Sequence, residues 1–391
     1  MRLISSLLLA AAPLAAHADV LRYEGMPLSR TVTLNYNGRN MGVHAGQMNI
    51  SLDGEAGAAF CVDLDHNISS GRTYLADPVA AEAESPWCGI NYILGNFSAS
   101  SADLSAAMQV AIWELKYGAA LAPVGGVVGT IAAGMLDAAE GQCPLFCNDE
   151  PVWDVIGTFN ADGTLTVQVT LGRDGGPAVA GEQLLATPSS GTLLAPASGV
   201  ATTDLDGQAT FVVDVRDADL PLTLDIATVG REVVRLVAVP ANAQQELVSV
   251  IGECSFDPQF AFDAGAFGDP HTIGFWKHQV EVALTGRGHA QVDAETLAGY
   301  LPISLFGETV DSLETLHEVL WLKKASMEQR ALQQCLALHL NVAAGEAGWA
   351  TDVTIGGETQ RMFAWWADAQ AALAAGDAET AKTICDDFNN L

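Results

Sequence analysis

The chain has 391 residues, a length that accommodates two or three domains. Its 17 Lys and Arg residues stand against 47 Asp and Glu residues, and the net charge of −30 excludes nucleic-acid binding and disfavours anionic lipids, because such a surface repels phosphate. Hydrophobic residues make up 49% and charged residues 16%, so we expect several buried cores and not a disordered chain. The seven cysteines are an odd number, so three disulfides within the chain would leave one thiol over.

The first 18 residues have the pattern of a secretory signal peptide. Arg2 precedes an apolar run over residues 3–16, and residues 16–18 read Ala-His-Ala, a small-residue cleavage site. We therefore expect cleavage after Ala18 and export to an oxidising compartment, where disulfides form. No later segment offers about 20 unbroken apolar residues, so no transmembrane helix is expected. The protein is interpreted as secreted, either released or retained at the cell surface.

Composition and periodicity divide the rest of the chain into four segments. The expected segments are an α+β domain over 19–153, an all-β sandwich over 154–243, a linker over 244–265 and a mostly α-helical domain over 266–391. In the first segment, residues 31–36 and 48–52 alternate apolar and polar side chains as half-buried strands do. Residues 102–117 are predicted to form a helix.

Periodicity also supports the other two domains. Alternating runs separated by Gly-containing turns predict the sandwich, and they cover residues 164–171, 209–215 and 233–239. Apolar spacing near 3.6 residues predicts helices in the last segment, over 312–324, 327–342, 359–375 and 378–388. The whole is therefore predicted to be a multidomain protein.

The glutamine in the predicted helix of the first segment is a candidate functional residue. Its neighbours on the helix are almost all apolar, namely Leu104, Met108, Ala111, Ile112, Trp113 and Leu115. A buried amide without hydrogen-bond partners costs about 1–3 kcal/mol. Gln109 must therefore be satisfied by another element, be exposed, or take part in chemistry.

Cys61 is the second candidate, because it follows an apolar run in a strand-like setting and the cysteine count leaves one thiol over. Cys335 and Cys385 lie on two predicted helices of the last segment, where a disulfide would staple them together. Three pairings stay open for the other four cysteines. These are Cys88, Cys143, Cys147 and Cys254.

Three short motifs follow one another in the first segment: FCVD at residues 60–63, YILGN at 92–96 and QVAIW at 109–113. In this order they resemble the bacterial thioester domains found on surface adhesins, and the resemblance covers residues 19–120. It implies an internal thioester between the sulfur of Cys61 and the side-chain carbonyl of Gln109. The chain departs from the family at Met108, where many members have Thr, and in the spacing of 48 residues, which is shorter than in the large adhesin forms.

The chemistry implied by this resemblance is acyl transfer run once. A lysine amine on a partner attacks the carbonyl carbon of Gln109 and expels the Cys61 thiolate, which leaves a covalent isopeptide tether. Water competes, so the bond needs shielding, for which the candidates are Phe60, Tyr92, Ile112 and Trp113. No cofactor is implied, and the eight histidines have no metal-ligand spacing, so no metal is expected.

Two further resemblances concern the rest of the chain. Residues 176–181 and 202–211 resemble invasin-type bacterial immunoglobulin-like (Ig-like) repeats, which implies an Ig-like spacer domain. Residues 269–278, DPHTIGFWKH, resemble the T-x-G-F-W-K-N-H segment of exported bacterial proteins. No chemistry carries over from that family. Trp276 is interpreted as a core residue, with a glycan contact as the alternative.

The sequence thus favours a non-enzymatic, adhesion-type protein that attaches covalently to an amine-bearing surface partner. Two alternatives stay open. One is a non-covalent extracellular structural or binding module in which a buried Cys61 is inert. The other is a cysteine hydrolase using Cys61 and His66, which is disfavoured because residues five apart on a strand point to opposite faces.

Overall fold

The computed structural model describes residues 19–239, 245–264 and 268–391. The predicted signal peptide, residues 1–18, lies outside the described residues. The chain is a mixed α/β structure built on antiparallel sheets. Within the described ranges, no helix has both the length and the apolar character needed to cross a membrane.

The first region mixes strands and helices. Its elements are β1 Asp19–Gly25, β2 Ser29–Tyr36, β3 Arg39–Gly46, β4 Met48–Leu52, β5 Glu55–Cys61, β6 Thr73–Ala80, α1 Trp87–Asn96, α2 Ala102–Tyr117, the 3-10 turn Gly118–Ala120, β7 Leu121–Ala122 and α3 Gly126–Ala139. The predicted helix over 102–117 is confirmed as α2. The two predicted strands are confirmed as β2 and β4, whose apolar side chains are buried at every second position.

The second region consists of strands. They are β8 Pro151–Phe159, β9 Thr164–Arg173, β10 Gln183–Pro188, β11 Thr192–Ala195, β12 Val200–Thr202, β13 Gln208–Asp214, β14 Leu222–Val239, β15 Gln245–Phe256 and β16 Gln259–Phe262. One sheet has the order β11-β13-β9-β8, and it faces β12, β10, the first half of β14 and β16. Their inward side chains form a continuous core around Val167, Phe211 and Leu224. The Ig-like assignment of this two-sheet unit stays a prediction.

Six strands of the chain close into an antiparallel barrel. The pairings run β14–β15–β5–β4–β1–β6 and return from β6 to β14. Alternation fixes which side chains face the interior: Leu21 and Tyr23 are buried there, whereas Val20 is 45% exposed on the outside. Because the ring is closed, none of these six strands leaves its barrel portion as an open edge.

The expected linker over 244–265 contains strands instead. β15 pairs with β5 of the barrel, and β16 pairs with the sandwich half of β14. β14 itself has 18 residues, about 60 Å when extended, so its first half lies in the sandwich and its second half in the barrel. The expected boundaries at 153 and 243 therefore differ from the structure. Period-2 alternation reveals a strand but not the sheet that the strand joins.

A layer of helices packs against the outside of the barrel. α2 lies between β5 of the barrel, the small sheet β3-β2-β7, and helices α1 and α3. Side chains from all these elements form one core, which includes Val32, Phe60, Ile90 and Ile112. α2 is consequently covered on every side, and each residue from Ser105 to Trp113 is buried.

The third region is mostly helical and also carries two β-hairpins. Its elements are α4 Ile273–Thr285, α5 Ala294–Gly299, β17 Ile303–Leu305, β18 Glu308–Val310, α6 Leu313–Leu320, α7 Met327–Ala343, β19 Asp352–Ile355, β20 Glu358–Arg361, α8 Met362–Ala374 and α9 Ala378–Phe388. Trp276 is fully buried, as the core interpretation predicted, and its indole N–H donates to Asn341 Oδ1 at 3.1 Å. The glycan-contact alternative for Trp276 is therefore wrong, since no face of the ring reaches solvent.

Three disulfides tie these regions together. Cys88–Cys143 joins α1 to the segment after α3, Cys147–Cys254 joins the next segment to β15, and Cys335–Cys385 joins α7 to α9. The last is the pairing that the sequence suggested. In the part of the chain that the structure describes, Cys61 is the cysteine outside these bridges.

Candidate functional site

Cys61 ends strand β5, where the barrel meets the helical layer. Its neighbour on β15 is Leu247, and the main-chain N–H of Val62 donates to Glu246 O at 3.0 Å, which fixes the end of the strand. Phe60 points into the core under α2, whereas Cys61 contacts both that core and the barrel interior. The Sγ–H of Cys61 donates to the carbonyl oxygen of Asp63 at 2.8 Å.

Gln109 lies in the middle of α2 and is fully buried. Ser101 begins the helix as its N-cap, with its side chain accepting from the N–H of Leu104, and nine consecutive buried residues follow from Ser105. A helix that is apolar on all sides is a core helix. The side chain of Gln109 is therefore held in a water-free position whose direction is set by packing around the whole helix.

Two hydrogen bonds join the Gln109 side chain to the Cys61 backbone. The N–H of Cys61 donates to Gln109 Oε1 at 3.0 Å, and Gln109 Nε2 donates to the carbonyl oxygen of Cys61 at 2.6 Å. The sequence required a partner for this buried amide, and the partner is the main chain of the cysteine 48 residues earlier. The structure thus brings together the two residues that the family resemblance paired.

The predicted shielding residues belong to the core around α2. Phe60, Ile112 and Trp113 are buried there, at 2%, 0% and 2% exposure. Tyr92 is partly buried and packs against the same core, and its ring also lies 6.4 Å from that of Phe97 and abuts Gly181 of the sandwich region. The shielding role of these four residues stays a prediction.

A cavity of about 300 Å³ opens beside Cys61. Its walls come from β1, β3, β5, the turn after β5, and α2, and the residues are Tyr23, Met26, Met41, Gly42, Val43, His44, Met48, Cys61, Asp63, Leu64, His66, Asn67, Ile68 and Trp113. Burial, with a smaller contribution from the nearby Cys61 thiol, raises the pKa of Tyr23. The cavity therefore gives solvent a route to the sulfur side of the Cys61–Gln109 pair.

Asp63 and His66 are site residues that the sequence reasoning missed. The strand ends at Cys61, so the opposite-face argument against a Cys61–His66 neighbourhood is wrong, and the turn brings both side chains to the same cavity. Asp63 Oδ2 lies 2.6 Å from His66 Nδ1, and Asp63 Oδ1 accepts from the main-chain N–H groups of Asp65 and His66. The turn-forming run Asp65-His66-Asn67 was the available signal.

Tyr117 holds this turn from the end of α2. Its hydroxyl accepts from the N–H of Leu64 at 2.8 Å, and its ring packs edge-on against Tyr36 with 5.0 Å between the centroids. Burial raises the pKa of Tyr117 to about 12, so the hydroxyl stays neutral at physiological pH. The turn is thereby attached to the helix that carries Gln109.

The lysine of this region is already engaged. Lys116 Nζ lies 3.3 Å from Glu246 Oε2 and 4.8 Å from the ring centroid of Trp87. An ammonium held by a carboxylate and an aromatic face is a poor nucleophile, because it must first lose both contacts and a proton. The ammonium of the lysine closest in sequence to Gln109 is therefore held by Glu246 and Trp87.

Comparison with known proteins gave structural likeness only. No protein-family model matches the sequence, and no curated protein matches it. Two solved structures are similar: the thioester domain of the Enterococcus faecium TIE86 protein, at 10% identity and a TM-score of 0.30, and the Bacillus anthracis TIE protein, at 11% and 0.31.

Each match covers 63% of this chain, with 96% of the Enterococcus structure and 49% of the Bacillus one. The chain thus spans about half the length of the Bacillus protein. The solved structures to which this chain is similar are bacterial thioester proteins. Because both TM-scores are low, neither likeness assigns a role to any residue of this chain.

Proposed function

We propose that this protein is an exported adhesion-type protein that forms an internal thioester between Cys61 and Gln109 and uses it to acylate an amine on a partner. The observation that carries the proposal is the pair of hydrogen bonds between the Gln109 amide and the Cys61 backbone, at 3.0 and 2.6 Å. They hold the carboxamide against the residue whose thiol would attack it.

The bond-forming step follows from this geometry. The thiol of Cys61 loses its proton, and Sγ attacks Cδ of Gln109. Negative charge then develops on Oε1, which already accepts from the Cys61 N–H, a fixed main-chain donor of the kind that stabilises an oxyanion. The C–N bond breaks and Nε2 leaves as ammonia, carrying the thiol proton. The product is an Sγ–Cδ thioester.

The second step uses the thioester as an acyl donor. A primary amine of the partner attacks Cδ, the C–S bond breaks, and the Cys61 thiol is restored while an amide tether remains. Burial of Gln109 and its neighbours Phe60, Ile112 and Trp113 supports this role, since a dry surrounding slows hydrolysis. The net charge of −30 favours a partner with a lysine-rich surface.

Intact mass spectrometry tests the proposal. Thioester formation releases ammonia, so the protein should weigh about 17 Da less than its mature sequence with three disulfides, and methylamine should then add about 31 Da and expose one thiol. Cys61→Ala and Gln109→Ala should each abolish both mass changes. Gln333→Ala is the matched control, because Gln333 is also a buried helical glutamine that donates to main-chain carbonyls, and this variant should retain them.

The alternatives give different results. A freshly folded protein of full mass that takes up no methylamine would exclude the thioester and leave a non-covalent module. Repeated turnover of an ester or peptide would instead favour a hydrolase.

A further inference from the structure

The cavity beside Cys61 has the features of a binding site for a charged alkyl side chain. Its walls carry the apolar side chains of Met26, Met41 and Met48, and its polar side chains are those of Tyr23, His44, Asp63, His66 and Asn67. Methionine packs against unbranched alkyl chains of varied shape. A lysine side chain has this composition, with a four-carbon stem and a cationic head.

Trp113 in the cavity wall is 2% exposed, and its indole N–H has no acceptor in the part of the chain that the structure describes. An ammonium only donates hydrogen bonds, so this N–H can pair only with the amine nitrogen after a proton has been removed from it. Trp113 follows Gln109 by one helical turn, so the two side chains are neighbours on α2.

The Asp63–His66 pair is built to accept a proton. An ionised carboxylate only accepts hydrogen bonds, so Nδ1 of His66 donates to Asp63 Oδ2, and the lone pair is left on Nε2. Asp63 is 13% exposed and is locked by two main-chain N–H groups, whereas His66 is 42% exposed. The other titratable groups around His66 are Asp65 on the same turn, His44 on β3, Tyr23 on β1 and Cys61 on β5.

We propose that this cavity admits the lysine side chain of the partner and that His66, oriented by Asp63, is the general base that deprotonates the attacking ammonium. The inference rests on the proposed function. A lysine ammonium needs such a base because only about one in 10³ is uncharged at pH 7. Nε2 of His66 takes one proton from the ammonium, the amine nitrogen attacks Cδ of Gln109, and the C–S bond breaks. A second nitrogen proton passes to the Cys61 sulfur, which gives amide and thiol, and His66 releases the proton it took to solvent.

Two nucleophiles separate this role from a merely structural one. Methylamine is an ammonium ion at neutral pH and needs a base, whereas hydroxylamine is uncharged and does not. The consumption of the thioester would be followed by intact mass for the wild type, His66→Gln and Asp63→Asn. His289→Gln, an exposed histidine in the loop after α4, is the control and should react like the wild type.

The expected result is selective. His66→Gln should still form the thioester, which also shows that it folds, and should react with methylamine on the order of 10²-fold more slowly. Its reaction with hydroxylamine should change little. Asp63 is a positioning residue, so Asp63→Asn should lose less of the methylamine rate than His66→Gln and should keep the hydroxylamine rate.

Several outcomes would overturn the inference. Equal slowing with both nucleophiles, or an unchanged methylamine rate in His66→Gln, would remove the base role and leave the thioester intact. If His66→Gln formed no thioester, Asp63→Asn decides: slowing with methylamine alone supports the base, and equal slowing with both nucleophiles contradicts it. A wild type without the loss of about 17 Da would overturn the proposed function itself and this inference with it.

Discussion

The Cys61 region and the helical C-terminal region use the same kinds of buried polar groups to different ends. In the C-terminal region, the amide of Asn341 accepts from the N–H of His271 and the indole of Trp276, and it donates to His271 O and Asn389 Oδ1. Both polar atoms of that amide therefore have hydrogen-bond partners within the protein. Such a fully satisfied network holds α4, α7 and α9 in one arrangement.

In the Cys61 region, only some of the buried polar groups have hydrogen-bond partners within the described residues. The amide of Gln109 is satisfied, but its partner is the backbone of a cysteine whose thiol lies next to a cavity. The indole N–H of Trp113 has no acceptor within the described residues, whereas that of Trp276 has one. The two regions therefore differ in where these groups lie: the Cys61–Gln109 pair borders a cavity, whereas the Asn341 network lies inside a packed core.

The largest expected effect concerns His339 in the helical C-terminal region, whose surroundings contrast with those of His66, a 42% exposed histidine near Cys61. Burial lowers the pKa of His339 from 6.5 to about 4, and the ring packs between Trp349 and Trp366. Because the pKa of His339 is lower in the folded than in the unfolded state, protonation favours unfolding. The free energy of unfolding should therefore be highest above about pH 6.5 and should fall by about 3 kcal/mol as the pH drops toward 4. Hydrogen exchange in α7, between pH 7.5 and 4.5, measures this loss.

His339→Phe is the matched test of that contrast. The variant should lose less stability than the wild type over the same pH range, because no buried imidazole then opposes protonation. Equal pH dependence in both proteins would contradict the assignment.

A pair of identical substitutions should sharpen the comparison of the two tryptophans. Trp276→Phe and Trp113→Phe remove the same ring volume, but only the first also removes a donor from Asn341 Oδ1. We expect the free energy of unfolding to fall by about 1 kcal/mol more for Trp276→Phe, as measured by hydrogen exchange in the surrounding helix. An equal loss in both variants would mean that the N–H of Trp113 is as well used as that of Trp276.

The smallest expected effect concerns Lys116. Its ion pair with Glu246 is partly exposed, so Lys116→Gln should cost at most about 1 kcal/mol. If the contact with Glu246 and Trp87 keeps this amine from the thioester, the yield of methylamine adduct should equal that of the wild type. A raised yield would show instead that Lys116 consumes part of the thioester in the native protein.

Sequence reasoning reached the central pair of residues but not their surroundings. Gln109 was identifiable because its neighbours on α2 are apolar, and Cys61 because the cysteine count is odd and a motif surrounds it. His66 was set aside by extending the strand past Cys61, although Asp65 and Asn67 are turn-forming residues. Tyr92 was named on motif order alone, and its contact with Gly181 of the sandwich region comes from the long-range fold.

By itself, the sequence determined the local elements and the chemistry available to them. The period of its apolar residues set α2 and the strands, and residue types supplied one thiol and one buried amide. The tertiary structure alone decided that β14 serves both sandwich and barrel, and that the turn after β5 brings Asp63 and His66 to the cavity beside the thiol. The physical reason is that periodicity is a property of neighbouring residues, whereas sheet membership and cavity walls come from contacts between residues far apart in the chain.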